Sequence, residues 1–527
     1  MDGDLQPLLV DVAPDSAERP SAAQRHDVLS QQLTQLWDHD ADGSFLQSLS
    51  SLFSPNTGLC LYTDFSGMGC PEMVVSLMAH MMMTNLPEPP NLLCWRASDV
   101  DPICRRTLKK AQRDGPRHVF GNIRRRVDSA TNAMLNGFLR RAESAFQDAV
   151  VAKASTSELK TVAESIGNGL MSDALTALQS CTWQEFDWCY RTKSRAPVHA
   201  PKRDPKLQHM VPIAVAGTVC KQWSAMNTQA RRFRCQTALS MLTWCMELMW
   251  LQPHMAIHEC TPFFDVAWLV AACSSLYFIQ TLVFSCRNLG QAYNRKRRYT
   301  ILLHKGHRIF NLSYEVGFST IFFKDVVEDA TKAYFIAGQA AIDECLKKLA
   351  ANKFICDHAG WSCRDLLPEC LRQRLLGYEK LARRRFLPCN KYIVNLCQEA
   401  SFTGLNGASL GFSVVPTILT KTSTLWNMRL GRLMLLEEMM LVHQVPTLDD
   451  LNQKGIPPFG FQTLLAENGL PENYFVHLLG NGMALCQLHA VMLFGLATTL
   501  KKSSIAVAIK AEPEEEVEDA IVACEQF

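Results

Sequence analysis

The sequence has no close pair of cysteines. Its 20 cysteines never come nearer than seven positions to one another, which excludes the Cys-x-x-Cys pairs of zinc knuckles and ribbons. It has no internal repeat. It also has almost no net charge: 53 basic residues stand against 51 acidic ones, a formal charge of +2. Bulk charge therefore says nothing for or against nucleic acid. The opening MDGDLQPLLVDVAPD is acidic and lacks the basic start and apolar run of a signal peptide. An intracellular chain, nuclear or cytoplasmic, with reduced thiols is expected. One uncharged run, 266–286, is long enough to cross a bilayer. Ser274, Ser275 and Gln280 interrupt it, and it divides into a helix over 265–274 and a buried strand over 277–285. No membrane association is expected.

What is present is a folded chain of 527 residues, 48% hydrophobic and 20% charged, too long for one ordinary core. The charge is unevenly placed. Residues 1–50 carry nine acids against two basic residues and read as a mobile arm, with a possible helix near 28–37. Residues 105–126 carry nine basic residues against Asp114 alone, and 364–391 carry eight against three acids. Each basic stretch suits a phosphate backbone, and each equally suits a solvated helix face. The acidic end, 501–527, reads as a disordered tail.

From residue 58 onward, short apolar runs alternate with helical stretches. Strands are predicted at 59–63, 93–98, 118–120, 212–217, 254–258, 279–285 and 299–303, which argues for a doubly wound α/β sheet. Residues 127–210 interrupt that alternation with a mostly helical stretch too long for a connection, and they read as an insertion. A second, smaller region is expected at 306–425. Residues 426–500 return to complete the first domain, 51–305.

The first strand runs into D-F-S-G-M-G-C-P-E, residues 64–72. Gly67 and Gly69 permit a tight turn and close backbone approach to a ligand, or a turn with no ligand. Asp99, after the second strand, suits ribose hydroxyls or caps the helix that follows. Phe120 to Ile123, F-G-N-I, offers an amide and a backbone N–H to an adenine edge. Cys220 lies just past the fourth strand, where ligands bind in such sheets; a lone cysteine is otherwise a small buried hydrophobe. H-E-C at 258–260 closes the fifth strand, and Y-N-R-K-R at 293–297 opens the seventh.

In this order the motifs resemble the cytosine-5 methyltransferase family, over about 60–305 and 425–500. The resemblance implies a Rossmann-like methyltransferase sheet that binds S-adenosyl-L-methionine through Phe65, Ser66, Gly67, Gly69, Asp99, Val100, Asn122, Ile123 and Asn481. It implies Cys220 as nucleophile, with Glu259, Arg295 and Arg297 completing the catalytic set. R-L-G-R-L-M-L-L-E-E, 429–438, resembles the family's late arginine–glutamate motif, and 306–425 falls where the family reads its target. The implied partner is DNA, with RNA as the alternative, and the implied state is a monomer. The chain departs from the family pattern at Val219, Lys221, Cys260, Tyr293 and Asn122, and its aspartate directly precedes Phe65. A pseudoenzyme that keeps the fold and binds nucleic acid is therefore the alternative outside catalysis.

Overall fold

Seven strands make one sheet: β1 (Leu59–Asp64), β2 (Leu92–Ser98), β3 (His118–Phe120), β4 (Val211–Gly217), β5 (Met255–Cys260), β6 (Tyr277–Ser285) and β7 (Lys296–His304). Their spatial order is β3-β2-β1-β4-β5-β7-β6. The first five run parallel, and β7 is antiparallel to both of its neighbours. The order reverses between β1 and β4, so their carboxyl ends open a crevice there. The computed structural model describes residues 27–53, 57–83, 91–111, 115–152, 155–201, 207–218, 223, 235–326, 329–351, 362–388, 390–405, 407–408, 413–420 and 424–501.

Strand side chains alternate between two apolar layers, as the period of a strand requires. Leu59, Leu61, Ile213, Val215, Ile257 and Ile301 enter one layer; Ala214, Ala216, Ala256 and Leu302 enter the other. Helices cover both faces. The chain supplies α1 (Asp27–Asp38), α2 (Ser44–Leu52), α3 (Cys70–Met83), α4 (Pro102–Lys110), α5 (Ser129–Val151), α6 (Thr156–Gln179), α7 (Gln236–Leu251), α8 (Ala267–Cys273), α9 (Tyr314–Phe322), α10 (Glu369–Arg384), α11 (Glu472–Asn481) and α12 (Leu485–Ala497). On the second layer the three alanines leave room for α7, which is buried along most of its length. On the first layer, every residue of α12 is buried. The stretch Glu472–Ala497 is apolar and long enough to cross a membrane, and 94% of its most apolar part lies inside the fold. The uncharged run at 266–286 splits, as expected, into α8 and β6.

The helix near 28–37 is α1, and the rest of the expectation, a mobile arm over 1–50, is corrected in its second half. Leu29, Leu33 and Leu36, spaced for one helix face, are buried by α1 against the first layer. Gln32 ties α1 to α12, donating to the Cys486 carbonyl at 3.0 Å and meeting His489 Nδ1 at 2.8 Å. One of the acids that gave the segment its arm-like look, Asp40, accepts the Phe45 and Leu46 N–H groups at the start of α2. Residues 1–26 and 502–527, the rest of the arm and nearly all of the acidic tail, lie outside the described residues.

The inserted stretch holds α5 and α6, then a hairpin of Phe186–Cys189 with Ser194–Pro197. Part of the region expected at 306–425 joins the main core instead: Tyr314, Phe318 and Phe322 of α9 pack in the first layer, and Arg308–Phe310 pairs with Thr499–Lys501. The smaller region's own core is built from Cys363, Leu375, Tyr378, Tyr392, Val394 and Trp426, where α10 covers a small sheet.

Candidate active site

After β1 the chain turns through Phe65, Gly67 and Gly69, all in left-handed backbone geometry (φ 54°, 57° and 92°). That conformation is unfavourable for a phenylalanine and natural for glycine. The Gly67 N–H donates to Asp99 Oδ2 at 2.8 Å, and the Asp101 N–H donates to Asp99 Oδ1 at 2.8 Å. Ser66 exchanges bonds with Ser98: its N–H reaches the Ser98 carbonyl at 3.0 Å, and its Oγ accepts the Ser98 N–H at 3.1 Å. The cap of α4 is Asp101, whose carboxylate accepts the Ile103 N–H, so the capping role open to Asp99 is filled by another residue. Each Asp99 oxygen keeps a second lone pair. Burial pushes the Asp99 carboxyl up to about 6, against the two N–H bonds that favour its charge.

Val100, beside it, is 61% exposed. Asn122 is exposed, with Oδ1 accepting the Arg124 N–H at 3.1 Å to cap the short 3₁₀ turn Ile123–Arg126. Ile123 itself turns into the second apolar layer. Arg105 donates to the carbonyls of Asp99 and Val100 at 3.0 and 2.6 Å, and its guanidinium lies 4.3 Å over the Tyr190 ring. Tyr190 comes from the inserted hairpin and packs on Gly121, where a Cβ would stand 3.2 Å from the ring. Asn481 ends α11, its Nδ2 2.9 Å from His477 Nε2. A Cβ on Gly67 would stand 3.7 Å from the Asn481 carbonyl oxygen, so α11 meets the glycine turn.

Beneath these loop ends lies a buried ionic quartet. Asp64 takes Arg126 at 2.6 Å and Arg96 at 3.1 Å; Glu247 of α7 takes Arg126 at 2.5 Å and Arg96 at 2.8 Å. All four side chains are at most 2% exposed. Burial alone would raise the Asp64 carboxyl; the guanidiniums of Arg126 and Arg96 outweigh it and hold it well below the usual carboxylate range. Arg126 also bonds Ser98 Oγ, and Arg96 donates to the Val198 carbonyl at 3.1 Å. The quartet thus fixes the ends of β1 and β2 and the turn after β3, which carry Phe65, Asp99 and Asn122. Sequence reasoning missed it, because Asp64, Arg96, Arg126 and Glu247 come from four separate segments with no shared motif.

Cys220, with its neighbours Val219 and Lys221, lies outside the described residues, as do Arg231, Arg232 and Arg234. The residues that bound this segment are described. Thr218 Oγ1 meets His258 Nε2 at 2.7 Å, and the Thr218 carbonyl accepts from Cys260 Sγ at 3.9 Å. Trp223 accepts from Thr261 Oγ1 at 3.2 Å through its carbonyl, and its ring packs edge-on against Phe264. Thr218 is therefore tied to both neighbours of Glu259, and Trp223 to Thr261 and Phe264 just beyond it. Burial lowers His258 to about 3, so it stays neutral and free to bond the threonine hydroxyl.

Glu259 is buried at the carboxyl end of β5 and pairs with Arg297 Nε at 2.9 Å. Gly217 lies in register with it on β4 and Tyr299 on β7. A Cβ on Gly217 would collide with the Met483 methyl at 2.6 Å. Arg295 does a different job: its Nη2 donates to the carbonyls of Gly482 and Gly480 at 2.6 and 3.4 Å, anchoring the segment around Asn481. In the late arginine–glutamate motif, Arg432 and Glu438 form a buried two-pronged pair at 2.9 and 2.7 Å.

The structure thus brings Phe65, Gly67, Gly69, Asp99, Val100 and Asn481 to one cleft edge, with Ser66 buried behind it on Ser98 and Thr63, and Glu259 with Arg297 to the neighbouring strand end. Ile123 and Arg295 serve the surrounding framework. The cleft residues fit S-adenosyl-L-methionine: a carboxylate with open lone pairs suits a ribose diol, exposed Val100 suits an adenine face, and glycines leave the backbone approachable.

The sheet is a Rossmann-like, doubly wound and mostly parallel α/β sheet. No protein-family model matches the chain, and no curated sequence matches it. Among solved structures it is similar to the methyltransferase EhMeth of Entamoeba histolytica, at 11% identity over 83% of this chain and 97% of that one, with a TM-score of 0.37. It is similar to the Dnmt2 methyltransferase of S. pombe, at 11% identity over 82% and 97%, TM-score 0.38. A DNMT2 mutant of Spodoptera frugiperda is similar at 9% identity over 83% and 99%, TM-score 0.33. Likenesses this slight carry no argument about function, which rests on the residues.

Proposed function

We propose that this chain is a methyltransferase acting on C5 of cytosine in DNA, with Cys220 as its covalent nucleophile and S-adenosyl-L-methionine as methyl donor. One observation carries the reading: Thr218 and Trp223, flanking the Cys220 segment, are both held by residues 258–264, at the strand end where Glu259 meets Arg297. A thiol carried between Thr218 and Trp223 and a carboxylate at the end of β5 are the two groups a base needs to be activated at two positions.

Cytosine C5 is a weak nucleophile. The Cys220 thiolate adds to C6 of a base turned out of its stack, which makes C5 enamine-like. Glu259 holds a proton at N3 and offsets the negative charge that develops there. Arg297 keeps the Glu259 carboxylate oriented. Bound S-adenosyl-L-methionine supplies an electrophilic methyl group. A C5 proton then leaves and the thiolate is eliminated, restoring the aromatic ring. Asp99 and Val100 hold the donor's ribose and adenine, and Arg105 braces the carbonyls of both residues.

The test is covalent trapping. Fluorine at C5 cannot leave as a cation, so DNA containing 5-fluorocytosine, mixed with protein and donor, should yield an adduct stable to denaturing electrophoresis. Cys220→Ala should abolish it, and Glu259→Gln should slow it on the order of 10²-fold. An adduct formed on an RNA pool but not on DNA would transfer the reading to RNA. Tight donor binding with no adduct on either pool would make the chain a pseudoenzyme.

A further inference from the structure

Helix α10 ends in a Schellman-type cap. The Phe386 N–H donates to the Arg383 carbonyl at 3.0 Å, and the Leu387 N–H to the Ala382 carbonyl at 2.9 Å. This cap places its residue in the left-handed region, where glycine is the favoured occupant. Here that residue is Phe386, with φ 54° and 98% of its surface exposed. The fold gains no burial from the ring and bears the cost of a Cβ in left-handed geometry.

The surroundings are cationic. From 380 to 391 the chain has Lys380, Arg383, Arg384, Arg385 and Lys391 and no acid. All five are exposed, and among the described residues none of them pairs with a carboxylate. Earlier on the same region, Arg364 and Arg372 are paired with Glu379 and Glu369. The unpaired arginines are thus gathered at one helix end around one bare aromatic ring.

We propose that Phe386 is a wedge that inserts between stacked bases of duplex nucleic acid while Arg383, Arg384 and Arg385 hold its phosphates. This rests on the nucleic-acid reading above and names the surface that would deform the duplex. Exposed apolar side chains flanked by arginine are the means by which proteins unstack base steps, and arginine matches phosphate with two parallel hydrogen bonds. A lipid surface is less well served. Membrane-binding faces present a row of apolar anchors, whereas within the described part of 340–435 only Leu430 joins Phe386 as an exposed large hydrophobe.

The test uses the full chain with DNA and RNA duplexes of one sequence, Phe386→Gly and Phe386→Trp, and donor binding as a control. Glycine relieves the left-handed strain, so Phe386→Gly should melt no lower than wild type and bind donor unchanged. Its duplex affinity should nonetheless fall roughly tenfold or more, the scale of one lost base stack. Phe386→Trp should keep the affinity, and its added fluorescence should be quenched by duplex. Duplex affinity unchanged in Phe386→Gly overturns the wedge while leaving the proposed activity intact. Wild type that binds donor but no duplex overturns both. Loss of binding to phosphatidylserine-containing vesicles in Phe386→Gly, with duplex binding retained, would assign the tip to a membrane instead.

Discussion

Residues 105–126 and 364–391 carry nine and eight basic residues, and as sequence they are near equivalents. Folded, the end of the first stretch and the end of the second are used in opposite ways. In the first, Arg126 is wholly buried between Asp64 and Glu247. Arg124 is buried too, bonded to Gln236, Asn132 and Asn136. Arg105 braces Asp99 and Val100, and Lys110 pairs with Glu467. Arg106, Lys109, Arg117 and Arg125 remain at the surface. Neither reading open to 105–126, a phosphate track or a solvated face, covers the whole stretch: about half of its described charge serves the fold. In the second, the charges at 380–391 stay exposed and unpaired among the described residues. Position relative to a sheet end makes the difference. An arginine one turn past a buried strand can reach carboxylates under the crevice, whereas one at the tip of a covering helix meets only water.

The largest expected effect tests the buried half of that contrast. Arg126→Met leaves Asp64 and Glu247 short of a buried partner and should cost about 3–5 kcal/mol of stability, read as a lowered denaturant midpoint. Arg384→Met should change it by less than about 0.5 kcal/mol. Equal losses in the two variants would erase the distinction.

Next in size is the exposed half. Reversing Arg383, Arg384 and Arg385 to glutamate should reduce the slope of log affinity for duplex DNA against log salt by about 2–3, near 0.9 per lost phosphate contact, with donor binding unchanged. An unaltered slope would make the second stretch a solvated face.

A smaller effect is expected where the first stretch meets the cleft. Asp99→Ala should weaken donor binding by on the order of 1–3 kcal/mol. In wild type, Asp99 titrates near 6 because burial raises it. Its charged form offers acceptors on both oxygens, so donor affinity should fall as pH drops through about 6 and level off above it. A calorimetric titration flat across that range would remove Asp99 from the ribose. The smallest effect belongs to Arg105→Ala, which should loosen donor binding by about 1 kcal/mol and leave the salt slope of duplex binding unchanged.

The five parallel strands were legible because strands buried on both faces read as short apolar runs, as 212–217 does. The cleft residues were legible where chemistry is local: Gly67 and Gly69 announce a turn, and an acid closing a strand announces Asp99. Other roles were not local. Asp101 took the cap open to Asp99 because it directly precedes Pro102, the first residue of α4. Ile123 faces the core although its neighbour Asn122 faces solvent, a difference of direction that spacing does not encode. The acidic start of the chain hid not the helix near 28–37 but its docking as α1, whose three leucines matter more than the segment's net charge once α12 is there to receive them.

By itself the sequence determined the alternating plan, the glycine turn after β1 and the order of the motifs, because strand period and left-handed turns are written in neighbouring residues. Only the tertiary structure decided which arginines are structural. Arg96 and Arg126 are thirty positions apart, and each is 150 or 120 positions from Glu247 in round terms. Nothing but the packing of α7 under the sheet brings those charges within hydrogen-bond reach, and burial there makes their pairing obligatory.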